Sequence, residues 1–318
     1  EIERISQVAW QNYRDHRKAP YTTPAGPGFA DPEYKISDQW RDTHQRLLAA
    51  QAAHKDSKTR VLVISGSPRN ENSCPGEMPK SFRLAKYAIS TLESQNVEVD
   101  FLDLSRITAE YGKNIHPCKA CVSTAMPLCH WPCSCYPNHS QGHSQDWMAE
   151  IYEKWVQAHG VMIVTPVHWY GLPSAMKLMV DRLVCADGGN PDPTRTHGKN
   201  AAEAKALEID GWDYPKPLAG RAFSVVVHGD TNGVDHVRRQ LSDWLVSMEL
   251  IPSGASGAIG KYIGYYEPYA TSHQALDKYD NLFIEVSNAA KSLSRQIEFI
   301  RSGKYQQPDK DLKDPESK

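Results

Sequence analysis

The chain has 318 residues, a formal net charge of −2, and an ordinary share of apolar and charged side chains. This length fits one large domain with extensions or two small domains. A charge near zero gives no electrostatic basis for binding nucleic acid or an anionic membrane. No apolar run approaches the ~20 residues that cross a bilayer, and the first residues lack the pattern of a secretion signal. We therefore expect a cytoplasmic protein.

Residues 1–58 are predicted to form an N-terminal arm. A short helix is expected over 1–17, and four prolines between residues 18 and 34 indicate an extended segment. A second helix is expected over 37–54, with Ser37 as its N-cap. Such an arm either packs on a neighbouring subunit or folds back on its own domain, and the sequence leaves both alternatives open.

Strand and helix patterns alternate from residue 59 to residue 302, which we take as one domain followed by a charged tail at 303–318. Strands are predicted at 61–64, 98–104, 160–165 and 222–228, and between 251 and 259. Helices are predicted at 80–94, 144–158, 173–184, 233–249 and 272–302. This alternation predicts an α/β fold, a doubly wound five-stranded parallel sheet with helices on both faces. Ligands of such sheets bind at the carboxyl ends of the strands, where the strand order reverses.

The loop after the first strand has the composition of a phosphate site. Its small residues and the following helix place backbone N–H groups around one point, and the helix dipole favours an anion there. Neither a P-loop nor a G-x-G-x-x-G fingerprint is present, and a turn without a ligand remains an alternative. The residues that can bind the phosphate are Ser67, Arg69, Ser73, Lys80 and Ser81. The Gly-Ser-Pro-Arg segment at 66–69 resembles the phosphate loop of the NADPH-dependent FMN reductases, in the flavodoxin-like superfamily. The link to the helix, at 74–79, is longer than is usual in that family.

The loop after the third strand, Thr-Pro-Val-His-Trp-Tyr-Gly-Leu-Pro at 165–173, is rich in aromatic residues. With the Ala-x-Lys-x-x-x-Asp-Arg helix that follows, it resembles the second flavin loop of the same family, closest to the branch that includes the iron–sulfur flavoproteins. His168 stands where the family usually has Tyr. The resemblance implies a flavodoxin-like fold with bound FMN. The implied flavin contacts are Pro166, Val167, His168, Trp169, Tyr170 and Gly171. A flat amphipathic ring favours such aromatic faces, whereas a hydrophobic corner that packs on the core is the alternative.

The loop after the fourth strand is short, polar and flanked by glycines. It falls where the third flavin loop of the family lies, and an ordinary turn before a helix is the alternative. The candidate flavin contacts here are His228, Gly229, Asp230 and Gly233.

Five of the seven cysteines lie between residues 118 and 135. In a reducing compartment such a group favours a metal or redox site over a disulfide framework. Cys118-Lys119-Ala120-Cys121 resembles the start of the iron–sulfur flavoprotein motif, which implies a 4Fe–4S cluster. Its candidate ligands are Cys118, Cys121, Cys129 and Cys133. Zinc with a contribution from His130, His139 or His143, a redox dithiol at Cys118 and Cys121, and buried free thiols are the alternatives.

The resemblance implies a quinone reductase-like NAD(P)H-dependent FMN reductase that passes electrons to a quinone, a flavin or another small acceptor. We expect a homodimer or homotetramer, with the 186–218 insertion as a lid or subunit contact. The flavin carries the electron chemistry, so no catalytic side chain is assigned. His168 and Tyr170 are the candidates nearest to the ring. An electron carrier of the iron–sulfur flavoprotein type and a zinc-stabilised, non-enzymatic interaction protein are the alternatives.

Overall fold

The computed structural model describes residues 2–16, 36–74, 76–136, 146–308 and 312. The proline-rich segment, the residues around Ser144, and His139 and His143 lie outside these ranges. The helices are α1 Ile2–Arg14, α2 Asp38–Ala53, α3 Lys80–Ser94, α4 Arg106–Ala109, α5 Met148–Gln157, α6 Ser174–Arg182, α7 Ala201–Ile209, α8 Val234–Ser247, α9 Tyr269–Asp277 and α10 Asp280–Arg301. The strands are β1 Arg60–Ser65, β2 Glu98–Asp103, β3 Gly160–Pro166, β4 Ala222–Gly229, β5 Ile251–Pro252 and β6 Ala258–Tyr262.

The strands form one parallel sheet in the order β2-β1-β3-β4-β5, and β6 also pairs with β4, further along it. The predicted parallel sheet is confirmed. Two short strands, β5 and β6, occupy the edge of the sheet beside β4, because the chain turns between them at Gly254, where φ is +85°. The strand order reverses between β1 and β3, so the carboxyl ends of these two strands open the crevice where such folds bind ligands.

The central strands are buried on both faces, as their continuous apolar runs predict. Side chains alternate along β1, so that Val61 and Val63 pack with α3 and α10 while Leu62 and Ile64 pack with α5. The remaining strands divide in the same way, and two apolar layers enclose the sheet. This layering fixes the strand ends rigidly relative to one another.

The second helix of the arm folds back onto its own domain. Ser37 accepts a hydrogen bond from the Trp40 backbone N–H and caps α2, as predicted. The buried Trp40 indole donates to the Pro132 carbonyl over 2.8 Å, and Leu47 lies in the main core. Of the two alternatives for this helix, the structure shows the intramolecular one.

The prediction for helix 80–94 is confirmed at both ends, while two others need correction. The predicted helix 272–302 is two helices, α9 and α10, which are separated at Lys278 and Tyr279. The insertion at 186–218 contains α7, whose N-cap Asn200 accepts from the backbone of Ala202 and Glu203. The apolar residues of α7 have no clear helical period, so the sequence pattern did not predict this helix. No helix in the described ranges has the length and apolar character to cross a membrane.

Candidate functional site

The loops that follow β1, β3 and β4 meet at the carboxyl edge of the sheet. Backbone hydrogen bonds continue past the strand ends, from Gly66 N to Val164 O at 2.9 Å and from Val167 N to His228 O at 2.8 Å. The loop after β4 is held to the segment after β6 in the same way, by the bond from Ile263 N to Gly229 O. The three predicted loops are therefore positioned by the sheet itself.

Two glycines allow these loops to approach closely. A Cβ on Gly66 would lie 2.5 Å from Thr165 Oγ1, so the turn after β1 can lie against β3 only without a side chain. Gly233 has φ +108°, and a Cβ there would lie 3.1 Å from both Cα and the carbonyl oxygen of Tyr170. The β3 and β4 loops are thus packed backbone against backbone.

The first loop is ordered by its own side chains. Ser67 Oγ accepts from the Arg69 backbone N–H at 3.1 Å, and Ser73 Oγ accepts from the Asn70 backbone N–H at 2.9 Å. The buried Asn70 amide donates to Ser105 Oγ at 2.6 Å, which ties the loop to the end of β2. Asn70 was not among the predicted site residues, because only the fold brings it to Ser105.

The N-terminus of α3 has the properties of an anion site. Its N-cap is Pro79, which provides no side-chain cap for the first-turn N–H groups. Lys80 begins the helix and is buried, with Nζ 3.4 Å from the Ile263 carbonyl oxygen and 3.3 Å from Ser272 Oγ. Arg69, on the preceding loop, is half-buried. Uncapped N–H groups beside two cationic side chains are the donor set that a phosphate requires.

A group of histidines surrounds this helix end. His228 is buried at the end of β4, with Nε2 2.7 Å from Ser81 Oγ. Burial lowers the pKa of His228 to about 3, with smaller contributions from Lys80, His168 and His273. Burial also lowers the pKa of His168, against the opposing effect of Asp230. His228 is therefore neutral at physiological pH, and Lys80 and Arg69 supply positive charge near this helix end.

The turn over residues 168–171 presents aromatic side chains outward. His168 and Gly171 exchange backbone hydrogen bonds of 3.0 Å, and the two residues between them have positive φ, +46° at Trp169 and +68° at Tyr170. Two consecutive bulky residues rarely adopt this conformation, and strain of this kind accumulates at functional sites. Trp169 is 94% exposed and Tyr170 57%. An anion site and exposed aromatic rings at one sheet edge fit FMN, which carries a phosphate and a flat ring.

The cysteine loop brings several of its thiols close together. Cys121 Sγ lies 3.3 Å from Cys135 Sγ, while the Cys118 thiol accepts from the Ala120 backbone N–H. Cys129 and Cys133 are buried. Within the described ranges, no three or more His, Cys, Asp or Glu side chains converge on a possible metal position. Cys135 is also hydrogen-bonded to Cys133, the metal ligands Cys118, Cys121, Cys129 and Cys133 stay a prediction, and we derive no step through a cluster or zinc.

Neighbouring groups shift the pKa values of these thiols and bind both ring nitrogens of His130. The hydrogen bond with Cys135 lowers the pKa of Cys121 to about 7, with burial opposing the shift and Lys199 adding to it. Burial raises the pKa of Cys129, and the hydrogen bond with Cys135 together with burial raises that of Cys133. His130 uses both ring nitrogens within the protein, on Ser134 Oγ and the Gly198 carbonyl. This bonding argues against His130 as a zinc ligand.

Arg182, the last residue of the predicted flavin-loop helix motif, has a structural contact instead. Its guanidinium is buried and paired with Asp146, with Nη2–Oδ2 at 2.5 Å. It also donates to the His116 carbonyl at 3.0 Å and lies 5.0 Å from the ring centre of Tyr136. The side chain therefore holds the cysteine loop against the start of α5. Sequence reasoning missed Asp146 and Lys199, since both meet their partners only in the folded chain.

Comparison with known proteins gives matches for most of the domain. A family model described as NADPH-dependent FMN reductase matches residues 59–263. An iron–sulfur flavoprotein of Methanocaldococcus jannaschii is 26% identical over 207 residues, covering 64% of this chain and 79% of that protein. One from Archaeoglobus fulgidus is 30% identical over 130 residues, which are 40% of this chain and 53% of that protein. The crystal structure of RosB with bound 8-demethyl-8-formylriboflavin-5'-phosphate has a TM-score of 0.51 at 14% identity, covering 78% of this chain and 82% of that one. At this identity the structural likeness shows the fold alone.

Proposed function

We propose that this chain, which belongs to the NADPH-dependent FMN reductase family, binds FMN across the three loops at the carboxyl edge of the sheet. The chain is an oxidoreductase with FMN as its cofactor. In the proposed reaction NAD(P)H donates electrons and a quinone, a flavin or another small molecule accepts them. FMN, when bound, supplies the hydride-accepting and electron-donating chemistry.

One observation carries the placement of the cofactor. The N-terminus of α3 has no side-chain cap and lies beside the buried Lys80. Such an end binds anions through N–H groups and the helix dipole. Lys80 and Arg69 would supply positive charge to the phosphate, and Ser81 and Ser67 would keep the helix end and loop in place through their present hydrogen bonds. Burial lowers the pKa of Lys80, with Asp230 and Glu267 opposing the shift, so a bound phosphate would also stabilise its charged form.

The aromatic turn supports the placement of the ring. Trp169, Tyr170 and His168 are all exposed, and the backbone of Tyr170 lies against Gly233. Aromatic faces pack well against a flat conjugated ring. We propose Pro166, Val167, His168, Trp169, Tyr170 and Gly171 as the wall on one side of the ring, with His228, Gly229, Asp230 and Gly233 at its edge. The backbone hydrogen bonds between His168 and Gly171 set the positive-φ conformation of Trp169 and Tyr170.

The domain division and the assembly are further parts of the proposal. The catalytic unit is residues 59–302, with 1–58 as an arm and 303–318 as a tail. The homodimer or homotetramer, the cytoplasmic location and the preference between NADH and NADPH stay predictions. The electron carrier of the iron–sulfur flavoprotein type is a second candidate, favoured by the names of the two curated relatives.

The test is an anaerobic absorption spectrum followed by a turnover assay. We expect two flavin bands at one FMN per chain, and continuous NAD(P)H oxidation when a quinone is present. A protein that binds no FMN would contradict the proposal. Flavin bands on a broad shoulder that dithionite bleaches, with no NAD(P)H turnover, would favour the electron carrier instead.

A further inference from the structure

A carboxylate lies between two basic side chains beside the proposed phosphate site. Glu77 Oε2 is 3.5 Å from His273 Nδ1 and 4.0 Å from Arg69 Nη2. Arg69 belongs to the loop after β1, Glu77 lies on the link that leads into α3, and His273 lies on α9. The fold therefore gathers one acidic and two basic side chains from three segments of the chain at the start of α3.

His273 has the position of a further phosphate-binding residue. Its neighbour Ser272 lies 3.3 Å from Lys80 Nζ, so α9 is packed against the start of α3. Burial lowers the pKa of His273, Glu77 opposes this shift, and Lys80 and Arg69 add to it. His273 Nδ1 is buried and has no hydrogen-bond partner among the described residues. A buried polar atom of this kind needs a partner, and a phosphate oxygen can supply one.

The Glu77 carboxylate is carried by an exposed turn. Gly76 has φ +83° with nothing within 4 Å of a Cβ, and the Glu77 backbone N–H donates to the Cys74 carbonyl over 3.3 Å. Gly76, Glu77 and Met78 are exposed, whereas Pro79 is buried. Because the buried residues begin only at Pro79, the Glu77 side chain can turn toward solvent while α3 stays in place.

A phosphate and the Glu77 carboxylate compete for the same partners. Like charges repel at such short distances, so the contacts of Glu77 must break before a phosphate oxygen takes its place. The side chains of Arg69 and Glu77 are 38% and 43% exposed, and ion pairs of this exposure are weak. A phosphate monoester carries a charge of about −1.5 to −2 at pH 7. It therefore attracts the basic groups more strongly than a single carboxylate does.

We propose that His273 is a further phosphate-binding residue and that Glu77 competes with the FMN phosphate for His273 and Arg69. When FMN binds, the Glu77 carboxylate turns toward solvent, and Arg69 and His273 donate hydrogen bonds to the phosphate. Riboflavin has no phosphate and does not displace Glu77, so Glu77 reduces the preference of the protein for FMN over riboflavin. This inference rests on the proposed function and assigns two residues to its site that the sequence patterns did not single out.

The first experiment compares FMN and riboflavin binding by fluorescence titration. In Glu77→Gln the FMN Kd should fall about 3- to 10-fold, while the riboflavin Kd stays unchanged. Glu71→Gln is the matched control, because Glu71 is an exposed carboxylate on the loop after β1, and it should leave both constants unchanged. An FMN Kd that stays the same or rises in Glu77→Gln, or an equal gain in Glu71→Gln, would overturn the competition.

Variants of His273 test its role as a ligand. His273→Phe removes both ring nitrogens, so the FMN Kd should rise about tenfold with no change for riboflavin. His273→Asn keeps a donor near the position of Nδ1 and should restore most of the affinity. An equal loss for FMN and riboflavin would show that His273 only supports the local structure, and this result would remove it from the phosphate site.

Inorganic phosphate separates this inference from the proposed function. A bound anion raises the Tm by mass action, so Glu77→Gln should need about 3- to 10-fold less phosphate than the unmodified protein for the same rise. Failure of every variant to bind FMN would contradict the proposed function, and the phosphate titration would still decide the competition. The same phosphate dependence in Glu77→Gln and in the unmodified protein would overturn the inference.

Discussion

Ser81 and His228 join the start of α3 to the end of β4 through a hydrogen bond of 2.7 Å. Ser81 belongs to the proposed phosphate site and His228 to the loop that borders the proposed ring site. Because both side chains are buried, the bond fixes the distance between the two halves of the site without help from solvent. The imidazole is neutral, since burial lowers its pKa to about 3.

This neutral histidine makes stability depend on pH. Unfolded His228 has an ordinary pKa of about 6.5, so the unfolded state binds more protons below that value. The stabilisation is complete above pH ~6.5 and is lost as the pH falls toward 3. The slope is up to about 1.4 kcal/mol per pH unit for one such histidine. Urea unfolding at a series of pH values should show His228→Gln with a shallower slope than the unmodified protein. His236→Gln, at an exposed position on α8, should leave the slope unchanged, and equal slopes for all three proteins would contradict the assignment.

Lys80 should discriminate FMN from riboflavin, which lacks the phosphate. Lys80→Met removes a positive charge at an uncapped helix end, so the FMN Kd should rise about 10- to 100-fold while riboflavin binding changes little. Lys86→Met is the control, because it makes the same change at an exposed position of the same helix. Flavin fluorescence titrations give both constants. An equal loss for FMN and riboflavin would place the phosphate elsewhere.

Gly233→Ala should weaken FMN binding in addition to lowering the free energy of unfolding. An alanine at φ +108° costs about 1–2 kcal/mol of unfolding free energy, and its Cβ would also meet the Tyr170 backbone. Gly211 has φ +114° with nothing within 4 Å of a Cβ, so Gly211→Ala shares only the first cost. We expect weaker FMN binding in Gly233→Ala alone, measured by fluorescence titration. Unaltered binding in both variants would mean that the contact with Tyr170 does not shape the flavin site.

The buried pair of Arg182 and Asp146 should be important for stability. Arg182→Met leaves Asp146 buried without its partner, which typically costs 3–5 kcal/mol. Lys177→Met breaks the exposed Lys177–Asp181 pair on the same helix and should cost less than about 1 kcal/mol. Urea unfolding measures both values. Similar losses of unfolding free energy in the two variants would mean that burial does not increase the stabilisation by the Arg182–Asp146 pair.

The sequence by itself determined the framework of this protein. The apolar runs predicted a doubly covered parallel sheet, and the periodicity of α3 gave both of its ends, because local pattern and burial agree in these elements. Loop composition and spacing also indicated which strand ends carry the proposed site, since parallel strands present their carboxyl ends at one edge.

Only the tertiary structure decided which side chains meet. Asn70 reaches Ser105, Arg182 reaches Asp146, and Lys199 reaches a cysteine pair that spacing alone did not single out. The sequence suggested Cys118 as a redox partner of Cys121 as one alternative, because the two are close along the chain. The fold instead places Cys135 beside Cys121. Spacing describes neighbours along the chain, whereas hydrogen bonds, ion pairs and thiol contacts depend on distances in space that packing of the whole domain sets.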